Sequence, residues 1–355
     1  MAFVEYRFAR LSSRWLLSGI LLTVFGCGGD RAGEGTPKDD RVVVYASLDR
    51  EFSEPVLSAY QKQSGVRIDG KYDVESTKTV GLTEAIAAEA QGGRTRCDLF
   101  WNNEVLNTLR LKEKGLLQPF HPANGADYPE VFRAKDGSWY GFAARARILL
   151  VNTKLVPEAE RPKHITDLTD PKWKGKIGIA KPLFGTTATQ ATCLFVAWGD
   201  EKAKRYFRDL KANGVQVLSG NKQVATAVGS GAIAVGLTDT DDAMGEVAEG
   251  SPVAIVYPDR EKGELGTLFI PNTLAVIKGA PHAQAAERLA NHLLSPEVEA
   301  ELARGPSAQI PLNPKTPESA RVETPKTVTP MAVDWDAAAA RWNEVMEFLA
   351  SEFAG

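Results

Sequence analysis

Four short polar clusters carry the groups in this chain that could hold a small charged molecule. They are Ser47-Leu48-Asp49, Asn102-Asn103-Glu104, Gly185-Thr186-Thr187 and Thr238-Asp239-Thr240-Asp241-Asp242. Asp239, Asp241 and Asp242 concentrate carboxylates in one turn, which suits a hard metal ion or an ammonium group. The same residues also suit a solvated acidic turn in which an Asp caps the next helix. Gly185-Thr186-Thr187 offers backbone N–H groups and two hydroxyls at a helix start, which suits an anion. A plain Thr cap accounts for it equally well. Arg145 and Arg147 alternate in Ala143-Ala144-Arg145-Ala146-Arg147-Ile148. A guanidinium there can clamp an anionic group or sit in a surface ion pair. Glu104 reads as a ligand or as first-turn helix charge. Trp101 and Tyr45 could offer aromatic faces to an organic cation, and Trp101 also suits a core position.

Catalysis leaves no local trace. The four histidines, His121, His164, His282 and His292, are scattered. No phosphate-loop, H-E-x-x-H or G-x-S-x-G pattern occurs, and no carboxylate pair stands out as a glycosidase dyad. Triads need not be local in sequence, so these absences weigh little alone; the expectation of a binding protein with no catalytic residue and no resident cofactor comes from the family resemblance given below.

The clusters fall at the C-terminal ends of β-prone runs, where open α/β sheets bind ligands. Val42 to Ala46, Val66 to Ile68 and Cys97 to Trp101 read as strands. They alternate with helices over Glu51–Ser64, Thr77–Ala90 and Glu104–Lys114. The second half repeats the style, with strands at Lys176–Ala180, Ile233–Leu237 and Phe269–Ile277. Helices are expected over Thr187–Trp198, Lys202–Ala212, Ala283–Leu294 and Trp335–Phe353. That alternation predicts an α/β protein with mostly parallel sheet. Pro306 to Pro330 reads as irregular.

The chain has 355 residues, 43% hydrophobic and 25% charged, with a net charge of −3. Length and composition suit two globular domains. The acidic balance and the lack of a basic, aromatic-studded patch exclude a nucleic-acid partner. Arg7, Arg10 and Arg14 precede an apolar stretch, Trp15 to Phe25, of signal-peptide length. Val24-Phe25-Gly26-Cys27 then reads as a bacterial lipobox, which makes Cys27 a lipidation site. Residues 1–26 are expected to be a signal peptide and residues 27–40 a flexible leash. The working part would lie at the periplasmic face of the cell envelope, anchored to a membrane without crossing it. Cys97 and Cys193 could pair in an oxidising compartment, but their apolar surroundings read as two buried thiols.

Taken together, the chain resembles the extracellular solute-binding proteins of ABC importers from about Arg41 to Phe353, nearest the ferric-iron-binding branch. The residues that carry the resemblance are Val43 to Asp49, Asp98 to Glu104, Gly141 to Arg147, Pro171 to Gly178 and Ile310 to Pro314. It implies the type II periplasmic-binding fold: two α/β lobes, each a mostly parallel sheet flanked by helices, joined by two crossing hinge strands. Residues 41–144 plus 266–317 would form lobe 1. Residues 145–265 plus 318–355 would form lobe 2, with crossings near Ala143–Ile148 and Leu265–Thr267. By resemblance, Asp49 stands where ferric binders often place a His ligand, and Asn103 or Glu104 where they place a Glu. Gly185, Thr186 and Thr187 match the loop that holds a synergistic anion, and Asn221 a further anion contact. Ferric binders carry adjacent tyrosines after the fourth cluster's strand, whereas this chain has Thr240 and Asp241 there.

The ligand-binding set is therefore Ser47, Asp49, Trp101, Asn103, Glu104, Arg145, Gly185, Thr186, Thr187, Asn221, Asp239, Asp241 and Asp242. Asp49, Glu104 and Asp241 are the candidate metal ligands. Three cargo classes stay open: ferric iron or another metal ion with an anion, an aminoalkylphosphonate, and a larger organic cation such as thiamine or a polyamine. The implied partners are a permease and its cytoplasmic ATPase, with the binding protein a monomer. A ligand sensor for a signalling receptor is the alternative class.

Overall fold

The structure is a computed structural model that describes residues 40–73 and 78–353. The signal peptide and lipobox Cys27 expected at the N-terminus lie outside the described residues, as does all of the leash except Asp40.

The first third follows the expected alternation. The strands are β1 (Arg41–Ala46), β2 (Arg67–Tyr72), β3 (Leu99–Asn102) and the short β4 (Leu117–Gln118). Between them run α1 (Arg50–Ser64), α2 (Val80–Gln91) and α3 (Leu106–Glu113). Val42, Val44 and Ala46 of β1 are wholly buried, as are all four residues of β3. A strand covered on both faces reads as such a continuous apolar run. Gly65 ends α1 in the left-handed conformation, with its N–H donated to Gln61.

The chain then enters β5 (Tyr140–Asn152), 13 residues and all buried. The second half adds β6 (Ile177–Ala180), β7 (Gln216–Leu218), β8 (Val235–Asp239), β9 (Val253–Val256) and β10 (Phe269–Ile277). Its helices are α4 (Gly185–Trp198), α5 (Asp200–Ala212), α6 (Asn221–Gly229) and α7 (Thr240–Ala248). Then come α8 (Ala283–Leu293) and α9 (Pro296–Arg304), the latter capped by Ser295 with Pro296 at its first position. The single C-terminal helix expected from the sequence is two, α10 (Trp335–Ala340) and α11 (Trp342–Phe353), broken at Arg341. α10 packs on α3 and α4, and α11 on α4 and α5.

Strand order is β2-β1-β3-β10-β5-β8-β6-β7, with β4 on β10 and β9 on β5. The pairings of β1 with β2 and β3, and of β6 with β7 and β8, are parallel. The middle is antiparallel, so the sheet is mixed rather than mostly parallel. β5 causes this. Tyr140 to Ala146 pair with β10, and Arg147 to Val151 pair with β8. One strand thus serves two sets of neighbours and changes partner between Arg145 and Arg147.

A bulge marks that change. The register against β10 shifts between Ile270 and Asn272, opposite Ala143, which adopts φ 43°. The buried Glu299 carboxylate accepts the Ala143 N–H at 2.8 Å, and Ala144 and Ile310 exchange backbone hydrogen bonds. Bulges re-aim the side chains beside them. Here those side chains are Arg145 and Arg147. Cys97 and Cys193 are buried free thiols, and burial pushes both well above the ordinary thiol range.

Candidate functional site

The C-terminal ends of β6, β7 and β8 and the N-termini of α1, α4, α6 and α7 meet at one cavity. It is lined by Asp49 before α1, Lys181 and Gly185 between β6 and α4, Ser219 to Asn221 entering α6, and Asp239, Asp241 and Asp242 entering α7. Lys78, Asn103, Arg145, Ala180, Phe184 and Thr186 complete the wall. Four helix N-termini give it unpaired N–H groups and a positive field. Only about 20 Å³ is open to the centre of a water-sized sphere. A space of that order holds roughly one water or one ion.

Arg145 lines the cavity, and Arg147 stands behind its wall. Arg147 is fully buried and donates to Asp239 at 2.7 Å, Gln190 at 2.9 Å, Asn221 at 3.0 Å and Thr186 and Thr187 at 3.3 Å. Asp239 also accepts from the Thr186 hydroxyl at 2.5 Å and the Asn221 amide at 3.0 Å. Arg145, 1% exposed, donates to Asp241 at 2.9 Å, to Asn272 at 3.1 Å and to the Asn103 carbonyl. Gln309 reaches the same Asp241 oxygen at 3.2 Å. A buried charge persists only when paired and hydrogen-bonded, and both guanidiniums meet that condition.

The acids at the front are less well satisfied. Lys78 pairs with Asp49 at 2.5 Å. Burial raises the Asp241 carboxyl above its usual range against the pull of Arg145. Burial, then the Asp241 charge beside it, pushes Asp242 well above that range. Carboxylate oxygens of Asp239, Asp241 and Asp242 lie within 4.8 Å of one another. No hydrogen bond reaches the Asp242 carboxylate from any described residue. The Asn103 side-chain oxygen, on a residue 6% exposed, also lacks a donor. The donor-less Asn103 oxygen therefore shares one small cavity with Asp49, Asp241 and the half-buried Asp242.

Not every expected residue reaches the cavity. Asp49, Asn103, Arg145, Gly185, Thr186, Asn221, Asp239, Asp241 and Asp242 line it, while Thr187 stands behind, against Arg147 and Asn221. Glu104 does not. It is wholly buried, and its two oxygens accept from Asn102 and Thr189 side chains at 2.9 Å, Leu106 N–H at 2.5 Å and Asn107 N–H at 2.9 Å. Four donors leave that carboxylate no position for a metal. Trp101 is core, with its ring 5.5 Å from that of Phe142. Tyr45 donates to Glu89 and lies under Lys71. Ser47 is buried outside the wall, 3.5 Å from Asp73. Lys78, Lys181, Phe184 and Ser219 were not expected. Lys181 and Ser219 directly follow β6 and β7, so the strand-end rule finds them once those strands are placed. Lys78 sits in a turn six residues past β2 and leaves no such signal.

The arrangement is bipolar. Its wall combines the oxygens of Asp49, Asn103, Asp241 and Asp242 with the N-termini of α4 and α6, Thr186 and Lys181. An all-oxygen donor set suits a hard cation, and the N–H side suits an oxyanion beside it.

The profile of the family described as "Bacterial extracellular solute-binding protein" matches residues 99–341. Iron uptake protein A2 of Synechocystis is 28% identical over 78% of this chain and 84% of its own length. A putative 2-aminoethylphosphonate-binding periplasmic protein of Salmonella typhi is 28% identical over 56% of this chain and 62% of its own. Among solved structures, iron-bound HitA from Pseudomonas aeruginosa superposes with a TM-score of 0.78 at 22% identity, over 87% of this chain and 99% of that one.

Proposed function

We propose that this chain, which belongs to the bacterial extracellular solute-binding proteins, captures a hard metal ion with a small oxyanion and passes it to a membrane importer. Ferric iron leads the candidates, as the names of its relatives suggest. The observation that carries the reading is the buried, donor-less Asn103 side-chain oxygen beside the carboxylates of Asp49, Asp241 and Asp242 in one small cavity. These four residues would supply the metal's oxygens. The N-termini of α4 and α6, with Thr186 and Asn221, would take the oxyanion.

On this reading residues 41–144 plus 266–317 and residues 145–265 plus 318–355 act as two lobes. The partner change in β5 and the antiparallel pairing of Ala146 with Phe269 support a hinge there. Cargo touches both sides of the cavity, so it favours the closed form. A permease and its ATPase would receive the closed monomer, and diacylation at Cys27 would hold it to the membrane. No catalytic step is assigned.

A second reading is an aminoalkylphosphonate, with its amine at Asp242 and its phosphonate at the α4 N-terminus. The bipolar wall and the Salmonella typhi relative support it. A thiamine or polyamine cargo is the least supported. The cavity is too small in this conformation, and Phe184 is the only aromatic residue in its described wall.

Native mass spectrometry on the chain purified from its own host's envelope tests this. A mass excess of one metal ion, with or without a small anion, supports the proposal. An organic excess matching an aminophosphonate replaces it with the second reading.

A further inference from the structure

We propose that His164, Asp259 and Glu264 form a second metal site, for a borderline divalent ion of the zinc class, separate from the cargo cavity. One ligand atom from each of the three lies within 4.8 Å of the other two. None of the three lines the cargo cavity. The inference stands independently of which cargo that cavity takes.

Spacing decides whether three such groups can share one ion. Ligand atoms on a tetrahedral ion with bonds of about 2.1 Å stand about 3.4 Å apart. His164 Nδ1 lies 3.0 Å from Asp259 Oδ1 and 3.8 Å from Glu264 Oε1. These two values bracket the tetrahedral edge, so an ion needs only small side-chain shifts to take the place of the Nδ1 proton.

The donors are aimed from outside the cluster. Asp259 Oδ2 accepts the Ile165 N–H at 3.1 Å, and Oδ1 faces the imidazole. Glu264 Oε2 accepts the Glu261 N–H at 3.0 Å, and Oε1 faces the same nitrogen. Each carboxylate thus spends one oxygen on the backbone and presents the other to His164. The Asp167 carboxylate accepts the Lys163 and His164 N–H groups at 2.8 and 2.9 Å, which fixes the backbone beneath the imidazole. Outer partners of this kind orient metal ligands.

Charge and access fit as well. Asp259 is 8% exposed, and its hydrogen bond to the imidazole raises the His164 pKa above its ordinary value. Surroundings that strengthen the hold on a proton favour a cation there. The side chains of His164 and Glu264 are 38% and 29% exposed, so an ion can enter and water can fill a fourth position. One imidazole nitrogen beside two carboxylates suits zinc better than does the all-oxygen wall of the cargo cavity. The bound ion would tie the connection between β9 and β10 to the helical turn Ile165–Thr169 that precedes β6.

The test titrates zinc into the full, cargo-free chain, with bound ion read by competition with a chromophoric chelator and stability by thermal midpoint. Wild type, His164→Gln, Glu264→Gln and Asp242→Asn are compared. The wild type should hold one zinc that His164→Gln and Glu264→Gln lose or bind at least about tenfold more weakly. Zinc should raise the midpoints of the wild type and Asp242→Asn and leave the other two unmoved. Glu264 lies at the surface, so Glu264→Gln decides the matter if His164→Gln does not fold. Zinc held equally by the wild type and both of these variants, or lost only in Asp242→Asn, places the ion in the cargo cavity and overturns the inference. A wild type that takes up no zinc at micromolar free ion overturns it too.

Discussion

The Thr189 hydroxyl donates to Glu104 at 2.9 Å, and both residues are wholly buried. This bond ties α4 to the segment that leads into α3. It also completes the four donors around a carboxylate that the sequence offers as a metal ligand. Replacing Glu104 with Ala would strand two backbone N–H groups and two side-chain donors. The expected loss is about 3–5 kcal/mol of unfolding free energy, read by urea denaturation. A loss below about 1 kcal/mol would return Glu104 to the list of ligands.

Asp242 should make cargo binding and stability depend on pH in opposite senses. Its carboxyl, raised by burial and by Asp241, keeps a proton in the folded, cargo-free protein where the unfolded chain has lost it. The folded state then binds more protons, so cargo-free stability falls as pH rises from the ordinary carboxylate range through the raised value. Cation binding needs the ionised form and releases the proton, so affinity climbs over the same window. Asp242→Asn should weaken metal binding and flatten its pH dependence. Calorimetry in buffers of different ionisation enthalpy counts the released protons, and a count unchanged in the variant would rule out this role.

The Arg147–Asp239 pair should behave as a buried unit. Arg147→Met removes one charge and leaves the other enclosed, at an expected cost of about 3–5 kcal/mol. Arg147→Lys should recover little, because one ammonium cannot reach the five acceptors that the guanidinium fork serves. The unfolding midpoints of the two variants, side by side, decide this. Near-equality of Arg147→Lys with the wild type would contradict it.

Gly266 should tolerate no side chain. Its φ is 90°, and a Cβ there would lie 2.5 Å from the Met331 nitrogen and the Pro330 carbonyl carbon. Beside it, Thr267 pairs in parallel with Pro330. Gly266→Ala should therefore cost at least about 2 kcal/mol, from backbone strain and the clash together. A thermal melt suffices, and an unchanged midpoint would mean that the Pro330 segment can move aside.

The sequence exposes some of this architecture and hides the rest for identifiable reasons. Val42 to Ala46 and Leu274 to Ile277 are legible because buried strands favour apolar runs, although Asn272 and Thr273 interrupt the second strand. The full length of β5 is not. Two arginines interrupt its pattern, and only partners up to 164 residues away make them acceptable inside. Asp239, Asp241 and Asp242 stand out as a cluster, yet their inequality does not. That Asp239 is saturated and Asp242 is bare depends on where Arg147, Thr186 and Asn221 converge. Glu104 fails for the same reason, since Thr189 lies 85 positions distant. Lys78 follows no strand end, and its position rests on Thr79, a threonine at φ 70° that no propensity foretells.

The closure of the cavity has a kinetic consequence. Its edges are fastened lightly, by the Gly185–Lys78 backbone bond at 3.3 Å and by an exposed Lys222–Glu51 pair at 2.9 Å between α6 and α1. Cargo held in the cavity would leave when these contacts part. The residence time of any cargo is then gated by how often these fastenings part. Ligands of different intrinsic strength would share one ceiling on their rate of escape, and added salt, by loosening the exposed pair, would raise that ceiling for all of them.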